Sequence, residues 1–388
     1  MDQNTIHHLA KNQVNNQKWQ EYMQHVSDEA AKAGKAVHVT FELTAMCTLK
    51  CKMCYVRMDQ EKIEQIGPMR TAEEWIDMAR QFRDAGGLTI LLTGGEAMMR
   101  PDFLKIYEAI SKMGLFVTVF TNGTTITDEV VEMFTRRPPS LIGLTLYGAS
   151  EETYERVSGW GGGFKKAVEG MDRLLAIPNL NIDIRFTACS LNYMDYEKTQ
   201  ELVAKRGRIL GYDIGDVAAV RGAVSEARAL RLNDEQRREL SRCLIKASAP
   251  ILDAIHKNEA EQVAEEKSVL EKKSRLQQSG LEQNVENKTD FLEERRLHCR
   301  AAAFGVYIAY DGRMYPCDMM SEPYTYPFQD GFVPAYQALR EKVKEVLVPE
   351  KCMHCKNREK CGPCAAKLIA ELEACKREGV SCCDFTQM

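Results

Sequence analysis

The residues with the clearest chemical potential are three cysteines in one short loop, Cys47-Thr48-Leu49-Lys50-Cys51-Lys52-Met53-Cys54. Their C-x3-C-x2-C spacing follows closely on an apolar run, Val37 to Leu43. Thiolate is a soft ligand that selects zinc, copper(I) or iron–sulfur, and a loop this short can fold three sulfurs around one small object. Structural zinc is closed by four ligands, usually in two pairs. Three sulfurs at this spacing suit one face of a [4Fe–4S] cube with one iron left unclaimed by protein. An open coordination position is where chemistry happens.

The remaining cysteines are also clustered. Of fourteen, three lie between 47 and 54 and nine between 299 and 383, so only Cys189 and Cys243 fall elsewhere and read as small core residues. The second group runs Cys299, Cys317, then Cys352-x2-Cys355-x5-Cys361-x2-Cys364, Cys375, and the adjacent Cys382 and Cys383. The N-terminus lacks the basic-then-apolar pattern of a signal peptide, and no apolar run approaches the roughly 18 residues that span a bilayer. A cytoplasmic protein is expected, in which clustered cysteines are metal or redox ligands rather than disulfides. A net charge of −4 gives no electrostatic reason to expect nucleic acid or an anionic membrane as partner.

Elements able to position these residues follow in alternation. The polar segment 1–36 carries Trp19, Tyr22, Met23 and Val26 at helical spacing and predicts one or two helices packed outside the next domain. From Val37, strands are predicted near 37–43, 88–92, 116–120, 141–146, 182–187 and 214–220. The intervening helices lie near 71–85, 101–113, 127–135, 164–175 and 195–210. Thr71 with Glu74 forms a capping box, and Thr127 a second N-cap. Strand-then-helix units with apolar strands predict an α/β fold, a parallel sheet curled into a partial (β/α)6 TIM-like barrel. Working residues in such barrels sit at the C-terminal strand ends. Here those ends carry the cysteine loop, Gly94-Gly95-Glu96 and Thr121-Asn122-Gly123.

Residues 255–298 are rich in Glu, Lys, Gln and Asn. Val263 and Leu270, then Val285 and Leu292, are spaced by seven on either side of Gly280. This predicts a solvated helical hairpin linking two domains, with a hinged clamp over the substrate entrance as the other possibility. Beyond it, Tyr307 to Cys317 reads as a hairpin turning at Asp311-Gly312, and a helix is expected from about 365 to 377. The expected organisation is a helical segment 1–36, a barrel 37–220, a helical linker 221–298 and a cysteine-rich α+β domain 299–388.

With these motifs in place, the chain resembles radical S-adenosylmethionine (radical SAM) enzymes with a C-terminal SPASM domain. The resemblance rests on Cys47, Cys51 and Cys54 with Gly94-Gly95-Glu96 at a strand end, and on the series Cys299, Gly312, Cys317, Cys352, Cys355, Cys361, Cys364 and Cys382 or Cys383. It spans 37–388 apart from the 255–298 insert. Where the family has C-x3-C, this chain has Cys361-Gly362-Pro363-Cys364, one residue shorter.

The resemblance implies a [4Fe–4S] cluster on Cys47, Cys51 and Cys54 whose free iron chelates the methionine end of S-adenosyl-L-methionine. An electron delivered by a flavodoxin- or ferredoxin-like donor then breaks the sulfonium C–S bond and releases a 5′-deoxyadenosyl radical. Gly94 and Gly95 would let backbone approach the methionine closely, and Glu96 or the adjacent backbone would hold its ammonium. Arg185 would pair with its carboxylate, unless it is salt-bridged to a neighbour at the barrel end; Thr145 and Tyr147 are candidates for the ribose. Two auxiliary iron–sulfur clusters, expected as [4Fe–4S], would be held by Cys299, Cys317 and Cys364, and by Cys352, Cys355, Cys361 and one of Cys382 and Cys383. The first has an open iron, suited to a substrate thiolate, unless Cys375 or another group closes it. Asp318 matches a position that takes a proton during substrate oxidation; the plainer role is capping a turn.

The function implied is maturation of a ribosomal peptide by hydrogen abstraction and an oxidative modification, such as a thioether or other cross-link. A peptide or protein substrate and a separate leader-binding protein are the expected partners. The alternatives are a sulfatase-maturing, formylglycine-generating enzyme and, from another class, a non-catalytic zinc-binding interaction protein.

Overall fold

A computed structural model describes residues 19–66, 68–247, 301–348, 350, 354 and 364–379. Six strands lie parallel in sequence order: β1 (His38–Glu42), β2 (Thr89–Thr93), β3 (Phe116–Thr121), β4 (Leu141–Leu146), β5 (Ile182–Ala188) and β6 (Leu210–Ile214). The sheet is open and does not close into a full barrel. Register sets the function of each face. Val39, Ile90 and Val117 align across three strands, as do Phe41, Leu92, Val119 and Ile142, and all are buried. The opposite face carries Thr40, Leu91, Thr93, Phe120 and Thr145 toward a concave interior.

Helices cover the apolar face. After α1 (residues 19–32) and α2 (Gln60–Ile66), α3 (Ala72–Asp84) begins at the anticipated capping box: Glu74 N–H donates to Thr71 Oγ1, and the Glu74 carboxylate accepts from Thr71 N–H. Its Trp75 ring lies 4.9 Å from Phe41. There follow α4 (Phe103–Ser111), α5 (Asp128–Arg136, capped by Thr127), α6 (Glu151–Ser158), α7 (Gly163–Leu175), α8 (Tyr196–Ala204) and α9 (residues 234–247). Sequence reading missed α6, although Ser150 before two glutamates is an N-cap signal.

Three expectations change. Helix α8 ends at Ala204, and the chain turns through Gly207, at φ +68°, where a residue with a Cβ is disfavoured. The sixth strand therefore starts at Leu210, several residues before the predicted 214–220. In α1 the buried residues are Ser27 and Ala30; Trp19 and Tyr22 stay exposed, with Trp19 edge-on to Phe116 at 5.4 Å.

The predicted hairpin forms from β7 (Gly305–Ile308) and β8 (Met314–Tyr315), turning through Gly312 at φ +86°. It is not separate from the barrel: β7 pairs parallel with β1, extending the sheet to the order β6-β5-β4-β3-β2-β1-β7-β8. The chain continues through α10 (Pro327–Asp330), α11 (Phe332–Lys344) and α12 (Ala365–Glu378). Phe332 of α11 packs on Phe82 of α3 at 5.3 Å between ring centroids. Among the described residues no helix is long and apolar enough to cross a membrane. Cys299, Cys352, Cys355, Cys361, Cys382, Cys383 and the segment 255–298 lie outside the described residues.

Candidate active site

The cysteine loop is launched by an extension of the β1–β2 ladder. Leu43 N–H donates to Thr93 O (2.8 Å), Gly95 N–H to Thr44 O (2.7 Å) and Glu96 N–H to Met46 O (2.8 Å). The two glycines are required by this approach. A Cβ on Gly94 would lie 2.6 Å from Thr44 O, and one on Gly95 would strike the Met46 carbonyl and lie 2.8 Å from Ala45 O. Both line the site, and the close approach that demands glycine is to the protein's own backbone. On the far side, Lys50 N–H and Lys52 N–H donate to Ser158 O and Val157 O at the end of α6, both at 2.9 Å. Residues 220–226 clasp the loop from the third side through Val220 N–H to Tyr55 O and Glu226 N–H to Lys52 O, also at 2.9 Å.

A cavity of about 1100 Å³ opens above the strand ends. It is lined by Cys47, Cys51, Cys54, Gly94, Gly95, Thr145 and Tyr147 from the barrel, and by Cys317, Asp318 and Cys364 from the C-terminal region. Residues more than 260 positions apart thus share one space. Cys375 is buried on α12, its Sγ 3.9 Å from Glu371 Oε1, and does not line the cavity.

Donors converge on each of the three N-terminal sulfurs. Cys47 Sγ accepts from Leu49 N–H (3.4 Å) and Asn122 Nδ2 (3.5 Å); Cys51 bonds the Tyr147 side chain; Cys54 accepts from the backbone at Val56 and Arg57. Burial pushes the Cys47 thiol up to about 11, and raises Cys51 and Cys54 as well, with the neighbouring thiols adding to the shift at Cys47 and Cys51. Sulfurs surrounded by donors yet costly to ionise alone fit ligands whose charge a bound cationic centre would balance. Among the described residues no group of three or more His, Cys, Asp or Glu side chains is set to hold a single metal ion.

Two expected cofactor contacts are placed elsewhere. Glu96 is 1 % exposed and does not line the cavity; its carboxylate accepts from Asn122 N–H (2.8 Å), Thr121 Oγ1 (3.1 Å) and Met98 N–H (3.4 Å). Arg185 is aligned with Thr145 on the same sheet face, but its side chain is 45 % exposed, outside the lining, and paired with Asp183 (2.6 Å) and Asp213 (3.0 Å). That matches the salt-bridged alternative for Arg185. The Tyr147 side chain is directed to the Cys51 sulfur.

Asp318 sits in the cavity wall with its carboxylate bonded by the Tyr55 hydroxyl, one residue after Cys54. Burial, then Asp318 itself, raises the Tyr55 hydroxyl well above its ordinary range and keeps it a donor. Arg221 donates to the Asp318 carbonyl, lies over the Tyr307 ring at 4.7 Å and pairs with Glu42 at 3.8 Å. Burial opposes the Arg221 charge, but Tyr307, Glu42 and Tyr55 reinforce it; burial raises the Glu42 carboxyl and Arg221 opposes that rise. Sequence reading missed this group. Its one local signal is an acidic residue, Glu42, inside an apolar strand.

Residues 41–203 match the family model described as Radical SAM superfamily. An AdoMet-dependent heme synthase of Methanosarcina barkeri is 25% identical over 350 residues, covering 86% of this chain and 92% of that protein. A PqqA peptide cyclase of Rhizobium meliloti is 33% identical over 141 residues, 35% of this chain; the chain spans 36% of that protein's length. Among solved structures, Streptococcus suis SuiB bound to precursor peptide SuiA superposes with a TM-score of 0.61 at 16% identity, over 91% of this chain and 77% of that one. SuiB bound to S-adenosylmethionine gives 0.57 at 14% identity, over 87% and 73%. At these identities the likeness to SuiB is one of fold.

Proposed function

We propose, from the match of residues 41–203 to the radical SAM superfamily model, that this chain is a radical SAM enzyme and a maturase of a ribosomal peptide. In this reading the barrel, 37–220, holds a [4Fe–4S] cluster on Cys47, Cys51 and Cys54 together with S-adenosyl-L-methionine, and residues 221–298 link it to an auxiliary-cluster domain at 299–388. Bound there, the pair supplies a 5′-deoxyadenosyl radical on one-electron reduction by a flavodoxin- or ferredoxin-like donor. The chain's own residues hold the reactants and exclude water. Gly94 and Gly95 pin the ligand loop, Tyr147 and Asn122 orient the sulfurs, and Asp318, held by Tyr55, receives the proton released as the substrate is oxidised. Cys317 and Cys364 belong with Cys299 to one auxiliary cluster, and Cys352, Cys355, Cys361 and one of Cys382 and Cys383 hold the other.

The observation that carries this reading is the shared cavity. Three donor-surrounded thiols face Cys317, Asp318 and Cys364 across a space of about 1100 Å³, at the upper end of ordinary ligand pockets (about 300–1,000 Å³). That volume admits a nucleoside-bearing cofactor and part of a second molecule. The peptide class is supported by likeness to the PqqA peptide cyclase and to the fold of SuiB. A second reading, a tetrapyrrole substrate, is favoured by the heme synthase, the relative matched over 92% of its length. Met46, Met58, Met99 and Phe120 in the cavity wall suit either apolar guest. A sulfatase-type protein substrate would use the same chemistry, and a non-catalytic zinc protein would hold zinc in place of iron.

The test is anaerobic reconstitution followed by reduction with S-adenosylmethionine. Release of 5′-deoxyadenosine, abolished in Cys47→Ala, is the expected result; its absence, or zinc in place of iron, overturns the reading. Turnover of a peptide encoded beside the gene, with an iron porphyrin untouched, supports the peptide class, and the reverse supports the tetrapyrrole.

A further inference from the structure

The Thr121-Asn122-Gly123 turn at the end of β3 sets Asn122 beside the cysteine loop, where it is 5 % exposed and every polar atom of its side chain is engaged. Its Oδ1 accepts from Thr124 N–H (2.9 Å) and Thr124 Oγ1 (2.6 Å). Its Nδ2 donates to Thr48 Oγ1 (3.0 Å) and Cys47 Sγ (3.5 Å). A backbone N–H can only donate, so the atom facing Thr124 N must be the carbonyl oxygen. The amide is thereby fixed with its NH2 toward the sulfur; the flipped form would set two donors against each other at Thr124. The backbone is held as well, by Asn122 N–H to Glu96 Oε2 (2.8 Å) and by Gly123 N–H to Thr121 Oγ1 (3.0 Å). Thr48 and Thr124 close the ring through a 2.7 Å hydroxyl contact.

We propose that Asn122 is a positioning residue that sets the reduction potential of the cluster held by Cys47, Cys51 and Cys54, through the hydrogen bond from its amide to the Cys47 sulfur. This rests on the assignment of those cysteines as cluster ligands. One-electron reduction adds negative charge that is shared with the ligand sulfurs, and a fixed N–H donor stabilises the reduced form more than the oxidised one. Hydrogen bonds to the sulfurs are among the determinants of iron–sulfur potentials. The residue type matters in a specific way. Aspartate would accept from Thr124 equally well but would turn a carboxylate oxygen toward the sulfur, and leucine would fill the same volume with no donor.

The experiment compares wild type, Asn122→Leu and Asn122→Asp as reconstituted full-length proteins, each checked for iron content and for folding by circular dichroism. With dithionite as electron donor, the midpoint is measured for the cluster whose paramagnetic signal changes on adding S-adenosylmethionine. Both variants are expected to retain iron and to reduce less readily, by about tenfold in the reduction equilibrium, which is about 59 mV for one electron. Unchanged midpoints with unchanged iron overturn the proposal. Should Asn122→Leu not fold, Asn122→Asp alone decides by the same criterion. A wild-type protein that takes up no iron, or whose signal ignores S-adenosylmethionine, overturns instead the assignment of the cysteines.

Discussion

Glu96 and Asp318 are both carboxylates beside the cysteine loop, and their surroundings give them different work. Glu96 is sealed inside, and burial pushes its pKa up from 4.5 to about 7 in spite of the Asn122 and Thr121 donors. Between these values the folded protein keeps a proton that the unfolded chain has released. The stability this group contributes is therefore complete below about pH 4.5 and is lost as pH rises to about 7, by about 3 kcal/mol. Glu96→Gln cannot ionise, so its stability relative to wild type should rise across that window in urea denaturation; parallel profiles would refute the assignment. Asp318 lines the cavity and is held by Tyr55. Asp318→Asn should still release 5′-deoxyadenosine and form no modified product. Full product yield in that variant would remove Asp318 from the chemistry.

At the scale of elements, the site depends on two backbone approaches that only glycine allows. One is the β1–β2 extension at Gly94 and Gly95. The other joins α7 to the turn after β3, where a Cβ on Gly170 would run into the Gly123 carbonyl. Helix propensity alone makes Gly→Ala in a helix interior favourable by about 1 kcal/mol. Here the obstacle is backbone, which cannot swing aside, and overpacking of this kind costs about 1–3 kcal/mol. Steric cost should win, so Gly170→Ala is expected to lower the urea midpoint. It should also disturb the Asn122 amide, one residue before Gly123. A rise in the midpoint would show that α7 shifts freely on the sheet.

Across the whole molecule, the barrel and the C-terminal region are joined by pairing and by charge. Strand β7 continues the sheet beside β1, and the end of β1 carries Glu42, whose partner Arg221 also holds the Asp318 carbonyl and the Tyr307 ring. Helix α12 is tied down separately, by Glu371 to Arg228 (2.7 Å) and Arg231 (2.5 Å). Removing one member of a buried pair leaves the other uncompensated, at about 3–5 kcal/mol. Arg221→Gln should therefore be strongly destabilising, and adding Glu42→Gln should recover part of the loss. A double-mutant cycle with no coupling would show that the two charges act independently.

Cysteine spacing, the capping box at Thr71 and the alternation of apolar runs are local, and the sequence alone determined from them a parallel α/β sheet curled toward a partial barrel and a three-cysteine loop at its strand ends. A three-cysteine loop is a pattern of residues a few positions apart, so spacing suffices to reveal it. Tertiary structure decided what faces the loop. The Tyr55–Asp318 bond joins positions 263 residues apart, the Asn122–Cys47 bond spans 75, and Arg185 turns to Asp213 across an adjacent strand. Each of these follows from strand order, register and the entry of β7 beside β1. No local pattern records those features, because the partners meet only after the sheet has formed.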